Sequence, residues 1–325
     1  MNQTPATVVR REVAFRAETG GSFAATWGQR YIRAEIRRIA PADDWNRQLR
    51  TYLPADEHGP VTMDRALEAI RTLTERHVAL RTRFRLDPGG GVEEQIVEAA
   101  GRVTVEIVDA NDPQQCEDEV SARLGAWTAQ PFDLEWDWPA RIILGTYGSA
   151  AHMIGLVTPH VSLDGAGAVA VVEDLHRIVA GRAPAPIGLD PLTAAAEECG
   201  QAARARSDQA LDLMRPALTA AQANPLRTRR HTPTVARFQS AHLSTDAFQS
   251  AHDYLSRKLG LFASGAITLV AAATALREQL GPPTTTFKVE CANRWTNKTR
   301  AYVGHRAQPI YIAAQGTPTD PAAEI

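Results

Sequence analysis

Residues 158–165 read Thr-Pro-His-Val-Ser-Leu-Asp-Gly, with a histidine four residues ahead of an Asp-Gly pair. The apolar run Met153–Val157 before this segment predicts a buried strand. Apolar residues that recur at helical spacing from Val169 to Val179 predict a helix after it. His160 is therefore expected on a loop between a strand and a helix. Rigid elements would fix its imidazole there, and an unperturbed imidazole titrates near neutral pH, as a general base should.

The composition is that of a soluble globular protein with one or two domains. The chain has 325 residues, of which 44% are apolar and 22% charged, and its net charge is −2. This charge gives no reason to expect nucleic acid or an anionic membrane as a partner. A short basic cluster, Arg227–His231, is expected to be a solvated linker face rather than a docking patch for an acidic partner.

Cysteine usage and the apolar runs indicate a cytoplasmic protein. Cys116, Cys199 and Cys291 lie far apart, without metal-ligand spacing and in an odd number, so reduced thiols and no metal site are expected. Residues 1–5 lack the apolar core of a signal peptide. The longest apolar stretch, residues 266–276, is too short to cross a bilayer.

Periodicity predicts a mixture of helices and strands. The turn Pro88–Gly91 is interpreted as a hairpin turn rather than a phosphate loop, because no Lys-Ser/Thr pair follows and no helix opens there. Proline-rich residues 181–234 are expected to connect two lobes, and residues 316–325 to form a polar tail. Helices are predicted around 62–77 (capped by Thr62 or Asp64), 120–127, 244–259 (capped by Ser244) and 263–280; strands around 80–86, 94–97, 103–108, 284–289 and 309–313.

Five short segments occur in an order and spacing that resemble a known family. They are Thr26–Arg30, Arg76–Phe84, Gln130–Leu134 (with Pro139–Arg141), His160–Gly165, and Asn293–Arg294 (with Tyr302–Gly304). The chain resembles the condensation-domain superfamily, the amide-forming domains of nonribosomal peptide synthetases, which are related to chloramphenicol-type acyltransferases. A single His-x-x-x-Asp-Gly match is weak; the order of all five, over roughly residues 14–312, carries the resemblance.

The chain departs from the family pattern at three places. Pro159 stands where the family often has the first of two adjacent histidines. Ala166-Gly167 stand where synthetase domains often carry a larger residue and a serine. The chain also ends soon after Val303-Gly304, so the second lobe is expected to be incomplete.

The resemblance implies an α/β fold of mixed α+β type. Two chloramphenicol-acetyltransferase-like lobes would form a V around a central cleft. It implies an N-terminal lobe over residues 1–180, a connection over 181–234 and a partial C-terminal lobe over 235–325.

The resemblance also implies an acyltransferase of nonribosomal peptide or related secondary-metabolite biosynthesis. The acyl donor would be a thioester on the phosphopantetheine arm of a carrier protein or on coenzyme A, and no cofactor would be bound. Transfer to an amine makes an amide; transfer to an alcohol, which makes an ester, stays open. A different hypothesis is a non-catalytic module that binds carrier domains or recruits partners. A decayed gene fragment, the third hypothesis, would express poorly because strand edges are left unpaired.

Two residues are the first candidates for the chemistry. His160 would take the acceptor's proton or position the acceptor, and proximity would supply much of the rate without an acyl-enzyme. Gly165 would either place its backbone amide near the developing oxyanion or simply begin a helix.

Four further residues have supporting or weaker assignments. By the resemblance, Asp164 pairs with Arg81 and holds the active-site loop, since a buried carboxylate needs such a partner. Arg294 lines the cleft or packs as a structural arginine. Ser162 is disfavoured as a nucleophile because it lacks the strained Gly-x-Ser-x-Gly context.

Overall fold

The computed structural model describes residues 5–39, 45–55, 59–148, 150–223, 246–259, 264–280 and 284–315. The chain divides into two compact units. The first contains Met1–Arg204 and Cys291–Gln308, and the second contains Ala205–Glu290 and Pro309–Ile325. This division differs from the expected lobes, because residues 291–308 belong to the first unit. The arrangement of two lobes around a cleft stays a prediction.

The helices and strands confirm the mixed α/β class. In chain order they are β1 (Thr7–Arg16), β2 (Gly21–Ala24), α1 (Trp27–Ile39), β3 (Asn46–Tyr52), α2 (Met63–Arg76), β4 (Thr82–Leu86), β5 (Val92–Val97), β6 (Ala100–Ala110), α3 (Pro113–Thr128), β7 (Arg141–Tyr147), β8 (Ala150–Pro159), α4 (Gly165–Val179), α5 (Pro191–Glu198), α6 (Gln201–Ala223), α7 (Asp246–Leu259), α8 (Ser264–Leu280), β9 (Thr284–Cys291), α9 (Asn297–Arg300) and β10 (Gln308–Gln315).

The first unit is built on a five-stranded sheet in the order β1-β6-β7-β8-β3. Strands β6 and β7 run parallel, and the other neighbours are antiparallel. Alternate residues of β7 point to opposite faces: Ile142 and Leu144 pack in one apolar cluster with α2 and α4, and Ile143 packs in another with α3. Because the sheet is covered on both faces, β8 is held rigidly up to the residue before His160.

A smaller sheet, β2-β5-β4, packs against α1. The predicted hairpin between β4 and β5 is confirmed. In its turn, Gly90 has φ +78°, which glycine adopts without steric cost. The Asp87 side chain accepts a hydrogen bond from the Gly91 backbone N–H at 2.9 Å.

Two predicted element ends are refined by the structure. Thr62 caps α2, since its hydroxyl accepts a hydrogen bond from the Arg65 backbone N–H at 3.2 Å. The strand expected from Leu80 begins only at Thr82, because Val78–Arg81 form a buried 3-10 turn.

In the second unit α7 packs against α8, and β9 pairs with β10. The predicted helices and strands of this region are confirmed within the described residues. The proposed cap Ser244, the basic cluster Arg227–His231 and the tail 316–325 lie outside those residues. In the described parts of the chain, no disulfide joins the cysteines, and no helix has both the length and the apolar character to span a membrane.

Candidate active site

The loop that carries His160 lies where the sequence predicts it. Strand β8 ends at Pro159 and helix α4 begins at Gly165. The Ser162 backbone N–H donates to the Pro159 carbonyl at 2.9 Å, which closes the turn. The loop is therefore held at one end by the sheet and at the other by a helix.

The hydrogen bonds of His160 define its tautomer. Its Nε2 lies 2.8 Å from Nη2 of Arg47, and its Nδ1 lies 3.0 Å from the Leu163 carbonyl oxygen. A guanidinium group only donates and a carbonyl only accepts, so Nδ1 carries the proton and Nε2 holds the lone pair. The basic nitrogen is thus Nε2, and in this structure Arg47 covers it.

The surroundings of His160 favour the neutral ring. Burial is the largest cause, followed by the charges of His305 and Arg47, and together they lower the pKa of His160 to about 4. The His305 ring meets the His160 ring edge-on, with centroids 4.8 Å apart, and the Trp45 indole stacks at 6.0 Å. Among the described residues, none offers a carboxylate hydrogen bond to this imidazole.

A cavity of about 380 Å³ has His160 on its wall. This volume lies within the range of small-molecule sites. The described lining residues are apolar, amide or cationic, and none is acidic: Arg33, Ile36, Trp45, Asn46, Pro131, Phe132, Leu134, Pro159, His160 and Val161. The loop thus presents an imidazole to a space that a ligand can enter.

The predicted pairing of Asp164 with Arg81 is wrong, because Asp164 pairs with Arg294. The guanidinium of Arg294 forms a fork with both carboxylate oxygens of Asp164, at 2.8 and 2.9 Å. The backbone N–H groups of Gly167, Arg306 and Ala307 donate to the same carboxylate at 2.8, 2.8 and 2.9 Å. With five hydrogen bonds, Asp164 caps α4 and binds residues 294–307 to it.

The charge of Asp164 is stabilised by this arrangement. Burial alone would raise the pKa of the carboxyl group, but the charge and hydrogen bonds of Arg294, with backbone N–H groups of Arg306 and Gly167, lower it. Asp164 therefore stays ionised and holds the loop. Asp164 thus has a partner other than the expected one, and the Arg294 side chain is buried beside it; the structural role of Asp164 stays a prediction.

Two glycines allow residues 302–306 to approach the site closely. A Cβ on Gly28 would lie 2.4 Å from the His305 carbonyl oxygen. A Cβ on Gly167 would lie 3.0 Å from the Gly304 carbonyl oxygen and 2.9 Å from Leu163. The serine that related domains often carry near this position would not fit here without a shift, so Gly167 is explained by local packing.

Arg81 is buried at another place in the first unit. Its Nη1 donates to the carbonyl oxygens of Thr19 and Glu98, at 2.6 and 2.8 Å. These bonds join the turn before β2 to the turn after β5. The resemblance indicated a structural arginine but named Asp164 as its partner, and the structure gives it these two carbonyl groups instead.

Ser162 and Gly165 lie next to the site without lining the cavity. The Ser162 hydroxyl is buried, and no residue in the described part of the chain hydrogen-bonds to it. Both ring nitrogens of His160 have other partners, so this histidine does not activate Ser162. Gly165 is the exposed first residue of α4, with open space where a Cβ would lie. Its predicted oxyanion role stays a prediction.

Sequence reasoning missed Arg47, Trp45 and His305. Arg47 lies on β3, which pairs with β8 in a register that places it opposite Thr158. This pairing brings Arg47 to His160, 113 positions further along the chain, and no local motif reveals it. His305 directly follows the Val303-Gly304 pair, which was the available signal.

Among the described residues, no group of three His, Cys, Asp or Glu side chains is arranged to hold a metal.

Comparison with known sequences finds one family over the region that contains this loop. Residues 53–187 match the condensation domain family. The hybrid PKS-NRPS synthetase mycA of Thermothelomyces thermophilus is 29% identical over 128 residues, which is 39% of this chain and 3% of that protein. Tyrocidine synthase 3 of Brevibacillus parabrevis is 29% identical over 124 residues, or 38% of this chain and 2% of that protein. The chain thus spans only 2–3% of the length of these relatives.

Solved structures share the fold over nearly the whole chain. The condensation domain that mediates chain release from the enacyloxin polyketide synthase superposes with a TM-score of 0.70 at 19% identity, covering 93% of this chain and 59% of that one. The X-domain bound to OxyB from teicoplanin biosynthesis superposes with a TM-score of 0.61 at 20% identity, covering 92% and 67%.

The fold is therefore that of condensation domains. Residues 53–187, which carry the His160 loop, match the condensation domain family and are similar to segments of nonribosomal peptide and hybrid polyketide synthetases.

Proposed function

We propose that the chain catalyses acyl transfer from a thioester to an amine, forming an amide in secondary-metabolite biosynthesis. The observation that carries this proposal is His160, which presents a neutral imidazole with its lone pair on Nε2 at the wall of a 380 Å³ cavity. The relatives are synthetases, so the proposed donor is an acyl group on the phosphopantetheine arm of a carrier protein. Coenzyme A thioesters offer the same arm.

The chemistry needs one proton acceptor and two bound substrates. The amine nitrogen attacks the thioester carbonyl carbon, and Nε2 of His160 accepts the proton that the nitrogen loses. The C–S bond then breaks, the sulfur takes a proton, and an amide and a free thiol leave. The Leu163 carbonyl keeps Nδ1–H in place, so that Nε2 stays the basic nitrogen.

Arg47 must move aside before Nε2 can accept a proton. Its guanidinium now lies 2.8 Å from Nε2, where the acceptor's N–H would have to be. Because its charge helps to lower the pKa of His160, its departure also makes the imidazole a stronger base. Acceptor binding and activation of His160 are thereby coupled.

One observation favours the second candidate function, a module that recruits a partner without catalysis. The fold is shared with an X-domain whose structure was solved in complex with OxyB. If Arg47 remained on Nε2 throughout, His160 would be a structural histidine and the cavity would be unused.

The test is product formation with wild-type protein and with His160→Ala. Acyl-loaded carrier protein and acyl-coenzyme A are offered with a panel of amines and alcohols, and products are detected by mass spectrometry. We expect His160→Ala to lose roughly 100-fold or more in kcat/KM, within the range that general-base catalysis contributes. Circular dichroism establishes that both proteins are folded.

The matched control is Ser162→Ala, which removes the neighbouring hydroxyl and should retain turnover within a few-fold. Loss of turnover in this variant, with an acyl-enzyme trapped in wild type, would replace the histidine mechanism with a serine one. Equal turnover in wild type and His160→Ala would contradict the proposal. Absence of turnover with carrier binding retained would favour the recruiting module.

A further inference from the structure

One wall of the cavity beside His160 carries a positive charge, that of Arg33. Arg33 of α1 lines it together with His160, and Arg47 lies against the His160 ring. The other lining residues are apolar, apart from Asn46, whose amide nitrogen donates to the Thr128 and Gln130 carbonyl oxygens. None of the described lining residues carries a negative charge, so this space favours an anion.

Arg33 is a half-buried cation that lacks a counter-charge in the described parts of the chain. Its Nε donates to the Gly90 carbonyl at 2.9 Å, and no described carboxylate pairs with it. The charge that acts on it most is that of another cation, Arg37. Burial and then the charge of Arg37 lower the pKa of Arg33, which shows that the surroundings disfavour its charge. Protein cations in such places are normally paired, so an anionic ligand would relieve this cost.

We propose that Arg33 binds a carboxylate of the acyl acceptor, so that the preferred acceptor is an amine bearing a free carboxylate, of the amino-acid class. The planar guanidinium offers two parallel N–H groups to such a group. This inference rests on the acyl transfer proposed above and names the acceptor class at the same site. The carboxylate would hold the acceptor in the cavity while its nitrogen displaces Arg47 from Nε2.

A phosphate of the donor arm shares this anionic chemistry, but the geometry favours the carboxylate. In a phosphopantetheine thioester, the phosphate lies at the opposite end of the arm from the reacting carbonyl. In an amino acid, the carboxylate lies only a few bonds from the reacting nitrogen. Arg33 and His160 line one cavity of about 380 Å³. An amino acid, whose carboxylate and amine are close together, therefore suits this cavity better than the donor arm does.

The test compares acceptors that differ only in the carboxylate. Alanine, β-alanine and phenylalanine are each paired with the corresponding amide, and binding is measured by calorimetry beside turnover. We expect wild type to bind the best of the three acids roughly tenfold more tightly than its amide, as a charge-assisted hydrogen bond would provide. In Arg33→Gln the KM of the acid should rise to that of its amide, so the preference should vanish. Arg33→Lys should retain part of it.

Arg37→Gln is the matched control, because it removes the same charge from the same helix at a residue that does not line the cavity. It should keep the preference for the acid. Inorganic phosphate and phosphopantetheine serve as competitors. If either of them competes with wild type but not with Arg33→Gln, and wild type shows no preference for acids, the site belongs to the donor arm. This result would overturn the proposal.

The binding measurement separates this proposal from the acyl transfer on which it rests. Turnover of acids and amides with equal KM would leave acyl transfer standing and overturn the carboxylate site. If no acceptor is turned over, acyl transfer fails, and Arg33-dependent binding of the acids alone would still establish the carboxylate site.

Discussion

His77 and His160 are both buried in the first unit, but only His77 has a carboxylate as a hydrogen-bond partner. The Nε2 of His77 lies 3.0 Å from Oδ2 of Asp174, a carboxylate on α4. The same carboxylate accepts from Nε of Arg76 at 2.8 Å and from the Ala185 backbone N–H at 3.2 Å. His160 has two cationic or titratable neighbours, and its nearest carboxylate, Asp164, is fully occupied elsewhere.

The two histidines also differ in the volume of the cavity beside each of them. The cavity next to His77 holds about 10 Å³, which is barely room for one water molecule. The cavity next to His160 holds about 380 Å³. A buried histidine with a carboxylate partner and no free space joins α2 to α4. A buried neutral histidine beside a cavity, whose lone pair is covered only by the side chain of Arg47, becomes available for chemistry once that side chain moves.

Removal of the charge of Asp164 should have the largest effect on stability. Asp164→Asn breaks the buried pair with Arg294 and should lower the unfolding free energy by about 3–5 kcal/mol, because a buried cation is left without its partner. Urea unfolding followed by circular dichroism measures it. Asp212→Asn, in an exposed pair with Arg215, is the control and should cost less than about 1 kcal/mol.

The same variant tests whether Asp164 orients the imidazole. The Nδ1–H of His160 donates to the Leu163 carbonyl, so its tautomer should survive in Asp164→Asn. A switch of tautomer, detected from ¹⁵N chemical shifts, would show that Asp164 acts as the acid of a triad.

The local part of this site was predictable, and the long-range part was not. The loop position of His160 followed from a buried strand and a helical repeat on either side of it. The partner of Asp164 did not, because Arg294 is 130 residues away and the resemblance pointed to Arg81 instead. Strand β1 was missed since eight of its ten residues are exposed, which leaves no apolar alternation for a pattern to show.

The pH dependence of stability should distinguish His160 from an ordinary surface histidine. The pKa of His160 falls from 6.5 to about 4 on folding, so the unfolded chain binds the proton more tightly. The unfolding free energy therefore rises with pH across this window. The contribution of His160, about 3 kcal/mol, is fully present above pH 6.5 and is lost as the pH falls from 6.5 towards 4. His160→Gln should flatten the profile over this range. Equal slopes in wild type and variant would show that the ring is not held neutral.

Removal of the carboxylate beside His77 should have a smaller effect. Asp174→Asn weakens the bonds to His77 and Arg76, and should lower the unfolding free energy by about 2 kcal/mol. His77 loses its stabilising anion, so its pKa should fall further, which a histidine NMR titration measures. Glu173→Gln changes the exposed neighbour on the same helix and should leave both quantities unchanged. A rise in the pKa of His77 in Asp174→Asn would contradict this picture.

The smallest expected effect is the most specific test of the comparison. Arg47→Gln removes one positive charge from Nε2 of His160, so the pKa of His160 should rise by roughly half a unit to one unit. Burial and His305 remain, which should keep this pKa below 6.5. NMR titration of the His160 ring measures the shift, and Arg50→Gln, which removes an equal charge from the same strand, should not reproduce it. An unchanged pKa in Arg47→Gln would mean that Arg47 does not cover Nε2 in solution. Acceptor binding would then need no displacement of that side chain.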